Sequence, residues 1–481
     1  MSAAGVRSAP SAPEAIVVGS GPNGLAAALT LARAGLSVAV YEGGATPGGG
    51  CRSEELTLPG FLHDVCATVH PLLAASPFFA GAGLEAVSLL TPAVSVAHPL
   101  EDGSAAAALR SVEDTASSLG RDANAYRRVF GRLVRDAEAI VDSTLAPLLA
   151  VPRHPLAMAR FGALGLAPVS TLARAFRGVR ARALIAGMGA HAMRPLTAAG
   201  TGAYSLLLAL LGHHVGWPVV RGGSARVTDA LVASIAAAGG ELRTGRWIGS
   251  LQDLPPARAT LLDVSPRGLL GIAGGQLPER YARALRRFRY GPGVCKVDWA
   301  LSGPAPWTAE VCTRTPTIHV GGTLEEIAHS EAEVAAGLHP ARPFCIAVQP
   351  SVIDEARAPA GAHSFYAYCH VPSGSSFDMS ERIEAQIERF APGFRDLVLA
   401  RKTLTAAETE RYDPNYVGGD INGGAATLRQ TLQRPVLSTH PYRVPLPGVY
   451  LCSSSTPPGG GVHGMCGAGA AAAALAELRL A

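Results

Sequence analysis

A strand–helix–strand unit near the start of the chain constrains the fold more than any other feature. Residues 14–19 (EAIVVG) predict a short buried strand, residues 23–34 predict a helix, and residues 36–42 (LSVAVYE) predict a second strand. Gly35 stands where a helix commonly ends. A unit of this size is typical of a parallel crossover, in which the two strands lie side by side in one sheet.

The turn between the first strand and the helix carries a glycine fingerprint. Residues 19–24 (GSGPNG) fit the pattern G-x-G-x-x-G. Gly19 permits a tight turn, Gly21 lets the backbone approach a pyrophosphate, and Gly24 lets the helix pack closely on the strand. The free N–H groups at the start of the helix are then available to a phosphate. The cofactor contacts predicted here are Gly19, Gly21, Pro22, Asn23 and Gly24.

The second strand ends in an acidic residue, Glu42, 18 residues past Gly24. A carboxylate at this point accepts hydrogen bonds from ribose hydroxyls and repels a 2′-phosphate. A lone G-x-G-x-x-G is also found in turns that bind nothing. With strand, helix, strand and acid in register, the unit predicts a site for FAD or NAD and disfavours NADP.

Two further glycine-rich segments favour FAD over NAD. Residues 47–53 (PGGGCRS) follow the second strand, where many flavoproteins use a glycine doublet and an arginine to pass the FAD pyrophosphate. Residues 451–467 predict a strand, a glycine loop and a helix whose N-terminus can face the flavin ring. A glycine-rich turn without a ligand is the alternative. The contacts predicted in these segments are Gly49, Gly50, Arg52, Ser455, Gly461, Val462, His463 and Gly464.

The length of the chain and the order of its patterns predict two interleaved domains. A chain of 481 residues exceeds what one core usually organises. Strand–loop–helix segments like the first one return near residues 221–250 and after residue 449, and a mainly helical pattern covers residues 105–185. The predicted cofactor domain comprises residues 1–75, 215–300 and 441–481, and the predicted substrate domain comprises residues 76–214 and 301–440.

Composition excludes several classes of function. The net charge is only +4 and no Lys/Arg run is present, so nucleic acid is not an expected partner. The eight cysteines form no C-x-x-C pair and the histidines show no H-E-x-x-H spacing, so neither a metal site nor a redox dithiol is predicted. The bias towards Arg, Ala, Gly and Pro indicates a GC-rich bacterial genome. Residues 1–15 lack an apolar signal core, which predicts a short disordered tail and a cytoplasmic location.

Two segments leave contact with a membrane open. Residues 196–212 are apolar but shorter than the roughly 20 residues that a span needs, so a buried helix is expected and a helix lying in a membrane surface is the alternative. Residues 153–182 carry six arginines among leucine, alanine and phenylalanine. A solvated helical face is the usual explanation, and a basic surface resting on anionic lipid is the alternative.

Longer motifs resemble the phytoene desaturase-like, carotenoid-oxidoreductase-related FAD-dependent family, which includes the pyridine nucleotide-disulfide oxidoreductase domain protein 2 group. The resemblance extends over nearly the whole chain. The motifs that carry it, besides the opening fingerprint, are GGGCRSEELTLPGF (48–61), GWPVVRGGSARVTDAL (216–231), NYVGGDINGG (415–424) and YLCSSSTPPGGGVHGMCG (450–467).

The resemblance implies an α/β fold, with a glutathione-reductase-type, Rossmann-like FAD domain interleaved with an α+β substrate domain, and FAD held non-covalently. Related proteins desaturate, saturate or isomerise long apolar polyenes. The chain departs from its relatives at residues 249–268, where a β-meander is compressed and a shorter domain edge is expected. No second G-x-G-x-x-G is present, so NADH or NADPH is expected at most as a transient electron donor.

Proton-handling residues are expected in loops next to glycine-rich backbone. His463 lies in the C-terminal glycine loop, and a hydrogen bond to flavin or backbone is its alternative role. His370 ends a strand before a Pro/Gly turn, and either lines the site or is structural. Tyr416 and Asp420 lie in the NYVGGD loop, where Asp420 equally suits the cap of a turn.

These features predict an FAD-dependent oxidoreductase that transfers hydride from an apolar or partly apolar organic substrate to flavin N5, as a desaturase or dehydrogenase does. A saturase or isomerase and an amine oxidase are alternatives on the same scaffold. A flavin-binding interaction protein without turnover is the non-enzymatic alternative. The expected partner is a small organic molecule, and the expected assembly is a monomer or a homodimer.

Overall fold

The computed structural model describes residues 12–147 and 152–480. Most of the predicted N-terminal tail, residues 1–11, lies outside this part of the chain. The strands within it are β1 Ala15–Val18, β2 Val38–Tyr41, β3 Ser53–Glu54, β4 His63–Asp64, β5 Leu89–Leu90, β6 Val94–Pro99, β7 Ala105–Leu109, β8 Val219–Val220, β9 Glu241–Arg243, β10 Ala259–Leu262, β11 Gly293–Leu301, β12 Thr317–Val320, β13 Cys345–Val348, β14 His363–Val371, β15 Val398–Leu404 and β16 Val449–Leu451.

The helices cover the two main sheets. They are α1 Pro22–Arg33, α2 Pro71–Ala75, α3 Pro77–Gly81, α4 Val112–Ser118, α5 Ala123–Arg135, α6 Ala137–Thr144, α7 Pro155–Gly165, α8 Val169–Leu172, α9 Val179–Ala190, α10 Thr201–His214, α11 Ala225–Ala237, α12 Pro266–Ala273, α13 Glu279–Arg286, α14 Glu310–Thr313, α15 Leu324–Ala335, α16 Ser380–Glu388, α17 Ala406–Tyr412, α18 Leu428–Leu432 and α19 Met465–Leu480.

A five-stranded parallel sheet contains the glycine fingerprint and confirms the predicted α/β fold class. Its order is β16-β10-β1-β2-β9, so β1 and β2 are adjacent and β10 lies on the other side of β1. The strands β1 and β2 are buried on both faces, as their continuous apolar runs predict. Helices α1, α11 and α19 pack together against this sheet, because their alanine-rich surfaces allow close approach.

A seven-stranded, largely antiparallel sheet forms the second domain, in the order β15-β11-β14-β13-β12-β6-β7. Three of its strands were not expected from the sequence: β6, β7 and β15. The alanine run of β7 lies inside the stretch 105–185 that the pattern predicts as mainly helical. Alanine has the highest helix propensity, but propensity is only a weak preference, and pairing with β6 overrides it here.

The chain passes repeatedly between the two sheets, so the domains are interleaved. The predicted cofactor segment 215–300 extends too far, because β11 pairs with β14 and β15 in the seven-stranded sheet. Since β11 begins at Gly293, the second domain resumes there and not at residue 301.

Helices α4 to α10 form a layer over one part of the second sheet. The expected buried helix in residues 196–212 is α10, whose Leu206, Leu210 and Leu211 are fully buried. No single helix in the described ranges is long and apolar enough to cross a membrane, although α7 and the segment Val169–Ala175, which meet at 92°, pass by length and composition when they are taken together.

Candidate cofactor cleft and substrate face

A cleft of about 630 Å³ opens at the carboxyl ends of the parallel strands. Its walls come from the loops that follow β1, β2, β10 and β16, together with the segment 411–416. In open α/β sheets this edge is where dinucleotides bind. Nine predicted cofactor residues line it: Gly19, Gly21, Pro22, Asn23, Glu42, Gly49, Gly50, Arg52 and Ser455.

The fingerprint glycines are required by close contacts. Gly19 has a φ of +97°, in the left-handed region where only glycine is unstrained. A Cβ on Gly24 would lie 2.2 Å from the carbonyl oxygen of Gly19, so helix α1 could not pack here with any larger residue. Gly24 therefore supports the turn from behind without lining the cleft, as the packing role in its prediction implies.

Glu42 is surrounded by hydrogen-bond donors at the end of β2. Its carboxylate accepts from the backbone N–H of Ser20 at 3.0 Å and from that of Gly44 at 2.7 Å. Arg52 Nη2 lies 3.6 Å from the same carboxylate. The carboxylate is thus fixed at the cleft wall, where a ribose hydroxyl can donate to it.

The segment after β2 passes close to the fingerprint. A Cβ on Gly49 would lie 3.1 Å from Gly21 Cα, and one on Gly50 would lie 2.3 Å from Tyr416 Oη. Arg52 donates to the Thr46 carbonyl at 2.7 Å, which turns the guanidinium along the cleft wall. Close backbone contact, and not only flexibility, therefore explains the glycines at 49 and 50.

A carboxyl group that the sequence analysis missed lies among the fingerprint glycines. Asp263 follows β10, and its Oδ2 accepts from the N–H of Gly24 at 2.8 Å. Burial raises the pKa of this carboxyl to about 7, against the lowering effect of that hydrogen bond, and the charges of Asp413 and Glu42 raise it further. The group sits at the N-terminus of α1, where an anionic ligand would be attracted.

The C-terminal glycine loop reaches the cleft only through Ser455 and its neighbours Ser453 and Ser454. The four other residues predicted here, Gly461, Val462, His463 and Gly464, do not line it. Gly461 lies against Leu72 and Gly464 against Phe78, because the loop packs on the segment around α2 and α3.

His463 is fully occupied by the loop's own backbone. Its Nε2 lies 3.1 Å from the Gly459 carbonyl, and its Nδ1 accepts from the N–H of Met465 at 3.0 Å. Burial lowers the pKa of the ring to about 4, so it is neutral. This arrangement matches the alternative role, hydrogen bonding to backbone, and leaves neither ring nitrogen for proton transfer.

The other predicted proton handlers lie in three different settings. Tyr416 lines the cleft, and burial raises the pKa of its phenol well above the usual range. Asp420 lies outside the cleft lining and accepts from the N–H groups of Gly291 at 2.7 Å and Asn422 at 2.8 Å, as a turn cap does. His370 is buried on β14, with its Nδ1 2.8 Å from Glu331 Oε1.

Strand pairing places a row of functional side chains across one face of the seven-stranded sheet. Lys296 on β11 is opposite Tyr368 on β14, Tyr368 is opposite Ile346 on β13, and Ile346 is opposite His319 on β12. Because directly paired residues point to the same side of a sheet, these four side chains share one face. His370, two residues past Tyr368, lies on that face as well.

Lys296 is the positively charged residue of this face on β11. It is buried, forms an ion pair with Asp298, and lies 4.4 Å from the ring centre of Tyr366. Burial raises the pKa of the Cys66 thiol, and the charge of Lys296 acts against this shift. The Cys66 Cβ lies 3.7 Å from the position of a Cβ on Gly50 in the cleft wall. The sequence does contain a signal that Lys296 is a candidate functional residue, because it is one of only two lysines and lies in an apolar strand.

Buried polar atoms without partners gather on or next to this face. His98, Thr317 and His319 each leave one buried atom without a hydrogen bond, and so does Glu331 beside His370. Burial lowers the pKa of His319 well below its usual range, so its ring is neutral. Because buried polar groups normally have partners, such a cluster indicates contact with water or with a polar ligand.

Within the described ranges no group of three or more His, Cys, Asp or Glu side chains could hold a metal ion. The cleft, by contrast, fits FAD: it offers a glycine cradle, a helix N-terminus, an acceptor for ribose at Glu42 and an arginine. It is also lined by the carboxyl groups of Glu42, Asp263 and Asp413, of which Asp263 is the one that lies at the N-terminus of α1, where its ionised form opposes an anion.

Comparisons with known proteins agree with this geometry. A family profile described as an NAD(P)-binding Rossmann-like domain matches residues 17–79. Pyridine nucleotide-disulfide oxidoreductase domain-containing protein 2 of Mus musculus is 28% identical over 553 aligned positions, which cover 97% of this chain and 94% of the mouse protein. A 4,4'-diapolycopen-4-al dehydrogenase of Metabacillus indicus is 33% identical over 131 residues, 26% of each chain.

A solved structure of a putrescine oxidase variant has the same fold, with a TM-score of 0.62 and 16% identity over 98% of this chain and 99% of that one. The fold similarity extends through both domains. The chain is thus homologous over nearly its full length to the mouse oxidoreductase domain-containing protein, and it shares the fold of the putrescine oxidase.

Proposed function

We propose that the chain binds FAD non-covalently in the cleft and dehydrogenates a partly apolar organic substrate. The substrate is held against the face of the seven-stranded sheet that carries Lys296, Tyr368 and His319, which we call the Lys296 face. The observation that carries the proposal is that Cys66 lies between the cleft and this face: its Cβ is 3.7 Å from the position of a Cβ on Gly50 in the cleft wall, and the charge of Lys296 acts on its thiol. Bound FAD supplies the acceptor for a hydride at its N5 position. The cytoplasmic location and the bacterial source remain predictions.

Different residues of the cleft are proposed to bind different parts of FAD. The glycine turn at 19–24 and the N-terminus of α1 suit the pyrophosphate, and Glu42 suits the ribose hydroxyls. Arg52 adds a fixed positive charge along the same wall, because the carbonyl of Thr46 holds its guanidinium. These contacts are all hydrogen bonds or charge interactions, which is why the binding is proposed as non-covalent.

The Lys296 ammonium is proposed to stabilise negative charge that develops at the reaction site. Asp298 keeps the ammonium in place, and burial makes its charge effective over a longer distance than in water. Tyr368, its neighbour across the strands, stays protonated because burial raises the pKa of the phenol. It can therefore donate a hydrogen bond to the substrate or to a bound water.

The unpartnered polar atoms favour a substrate that carries a hydrogen-bonding group. A hydrocarbon polyene could not hydrogen-bond to Thr317 or Glu331, whose buried side-chain oxygens would stay without a partner beside it. An amine, an alcohol or an aldehyde on an apolar body would give them partners. Of the two substrate types predicted from the sequence, the partly apolar one therefore agrees better with this face.

The test is anaerobic mixing of the flavin-loaded protein with three probes of similar length: a long-chain primary amine, a long-chain aldehyde and a hydrocarbon polyene. Bleaching of the flavin by the amine or the aldehyde, and not by the polyene, is expected. The variant Lys296→Met should keep the flavin and lose the rate of bleaching about a hundredfold. Bleaching by NADPH with no response to any probe would instead favour the saturase or isomerase alternative.

A further inference from the structure

An apolar stripe on the outer surface of α7 has no partner within the described chain. Leu156 is 73% exposed, and Leu164 and Leu166 are also exposed, while Phe161 on the opposite side of the helix is buried. A surface helix normally turns its apolar side inwards and its polar side to water. In α7 the outward side is largely apolar as well: Ala159 and Ala163 continue the stripe, and its one charged side chain, Arg160, pairs with Asp136 at 2.9 Å.

The stripe continues onto a second helix, α18. The N–H of Gly200 donates to the Leu166 carbonyl at 2.9 Å, and Leu428 Cδ2 lies 2.6 Å from the position of a Cβ on Gly200. Leu428 and Leu432, one turn apart on α18, are both exposed. We call the set Leu156, Leu164, Leu166, Leu428 and Leu432 the leucine patch. A contiguous apolar patch of this kind marks an interaction surface.

The chain segment that carries α7 is rich in arginine and lacks acidic residues, although Arg160 and Arg182 pair with carboxylates of other segments. Between Asp142 and Asp229 the sequence contains nine arginines and no acidic residue. Arg153 is exposed beside the start of α7, and Arg429 is exposed between the two leucines of α18. A protein partner with an ordinary mixed surface would not require so one-sided a charge. An anionic lipid surface attracts each nearby arginine and accepts the leucines among its acyl chains.

We propose that the leucine patch and its flanking arginines form a docking surface for an anionic membrane, on which the protein lies without crossing the bilayer. The docking does not depend on the proposed oxidoreductase chemistry. The helix α18 follows directly from the loop 421–424, two residues of which, Ile421 and Gly423, line the cofactor cleft. The leucine patch is therefore linked along the chain, through residues 425–427, to a segment of the cleft wall.

The test is co-sedimentation of the full, flavin-loaded chain with vesicles of phosphatidylcholine alone and with vesicles in which one third is phosphatidylserine. Binding to the anionic vesicles only is expected, weaker at high salt. The double variant Leu156→Glu/Leu166→Glu should lose it by about tenfold or more. The matched control is Leu338→Glu/Leu399→Glu, at residues that are 55% and 54% exposed but lie outside the patch.

Melting curves and the flavin spectrum of both variants show whether they are folded, and since all four leucines are exposed, both should fold. Equal binding of the patch variant and the wild type would overturn the proposal, as would equal binding to neutral vesicles. The proposal would also be overturned if the wild type bound neither kind of vesicle but formed a dimer that the patch variant cannot form. The leucine patch would then be the contact surface for a second copy of the chain.

Discussion

Asp263 should make the binding of FAD depend on pH, because its carboxyl lies where the pyrophosphate has to approach. Its pKa of about 7 means that the group is largely protonated below this pH and ionised above it. An anionic ligand favours the protonated form and raises the pKa further. Binding at pH above about 7 therefore takes up a proton, and the dissociation constant rises by up to tenfold for each pH unit.

The same shift affects the stability of the protein without FAD. The pKa of Asp263 is raised from 3.8 when unfolded to about 7 when folded, so the native state binds the extra proton between these values. Stability is therefore lost as pH rises from about 4 to 7, and the loss is complete above 7. A difference of about 3 pKa units corresponds to about 4 kcal/mol for an isolated buried group. Because the carboxyl borders the open cleft, water reduces this to about 1–2 kcal/mol.

The perturbation is Asp263→Asn, which keeps an acceptor for the Gly24 N–H and removes the charge. The assay is quenching of FAD fluorescence on addition to the flavin-free protein, between about pH 6 and pH 9. The variant should bind FAD with an affinity that no longer falls with pH. Asp413→Asn, which removes a charge that raises the pKa of Asp263, should keep the slope but move its onset to lower pH. A flat wild-type curve, or a slope that survives in Asp263→Asn, would refute the reasoning.

Three other substitutions separate binding from folding. Glu42→Gln should weaken FAD binding by about tenfold, because a charge-assisted hydrogen bond to ribose becomes a neutral one, as fluorescence titration would report. Gly24→Ala should lower the free energy of unfolding by about 2 kcal/mol or more in a urea titration, since the new Cβ meets the Gly19 carbonyl, and an unchanged midpoint would contradict the contact. His463→Phe should destabilise the chain by about 1–3 kcal/mol through two lost backbone hydrogen bonds. The pH profile of flavin reduction should stay unchanged in that variant, and a shifted profile would restore His463 as a proton carrier.

The parts of the site that the sequence predicts well are those encoded over a short stretch of chain. The turn at Gly19, the helix that follows it and Glu42 all lie within one crossover, where spacing determines geometry. Asp263 could not be found in this way, because it lies 239 residues from the Gly24 N–H that it accepts from. Only the parallel pairing of β1 with β10 brings the two together.

The Lys296 face was not predicted from the sequence, for a similar reason. Lys296, Tyr368 and His319 come from three strands, and their common side follows from register, which no single segment of sequence specifies. The alternation K-V-D-W in β11 and F-Y-A-Y-C-H in β14 was a usable signal, since polar residues at every second position mark one face of a strand. The C-terminal loop shows the opposite error: its glycines resemble a cofactor contact, yet at Gly461 and Gly464 they make room for Leu72 and Phe78.

The central claim, that the cleft holds FAD non-covalently, is tested most directly by the visible spectrum of the purified protein and the identity of the flavin released on denaturation. The account predicts flavin absorption bands in the folded protein and FAD in the supernatant after the chain is precipitated. A folded protein that shows no flavin bands after FAD is supplied would contradict the binding site, and flavin that stays with the precipitated chain would contradict the non-covalent attachment.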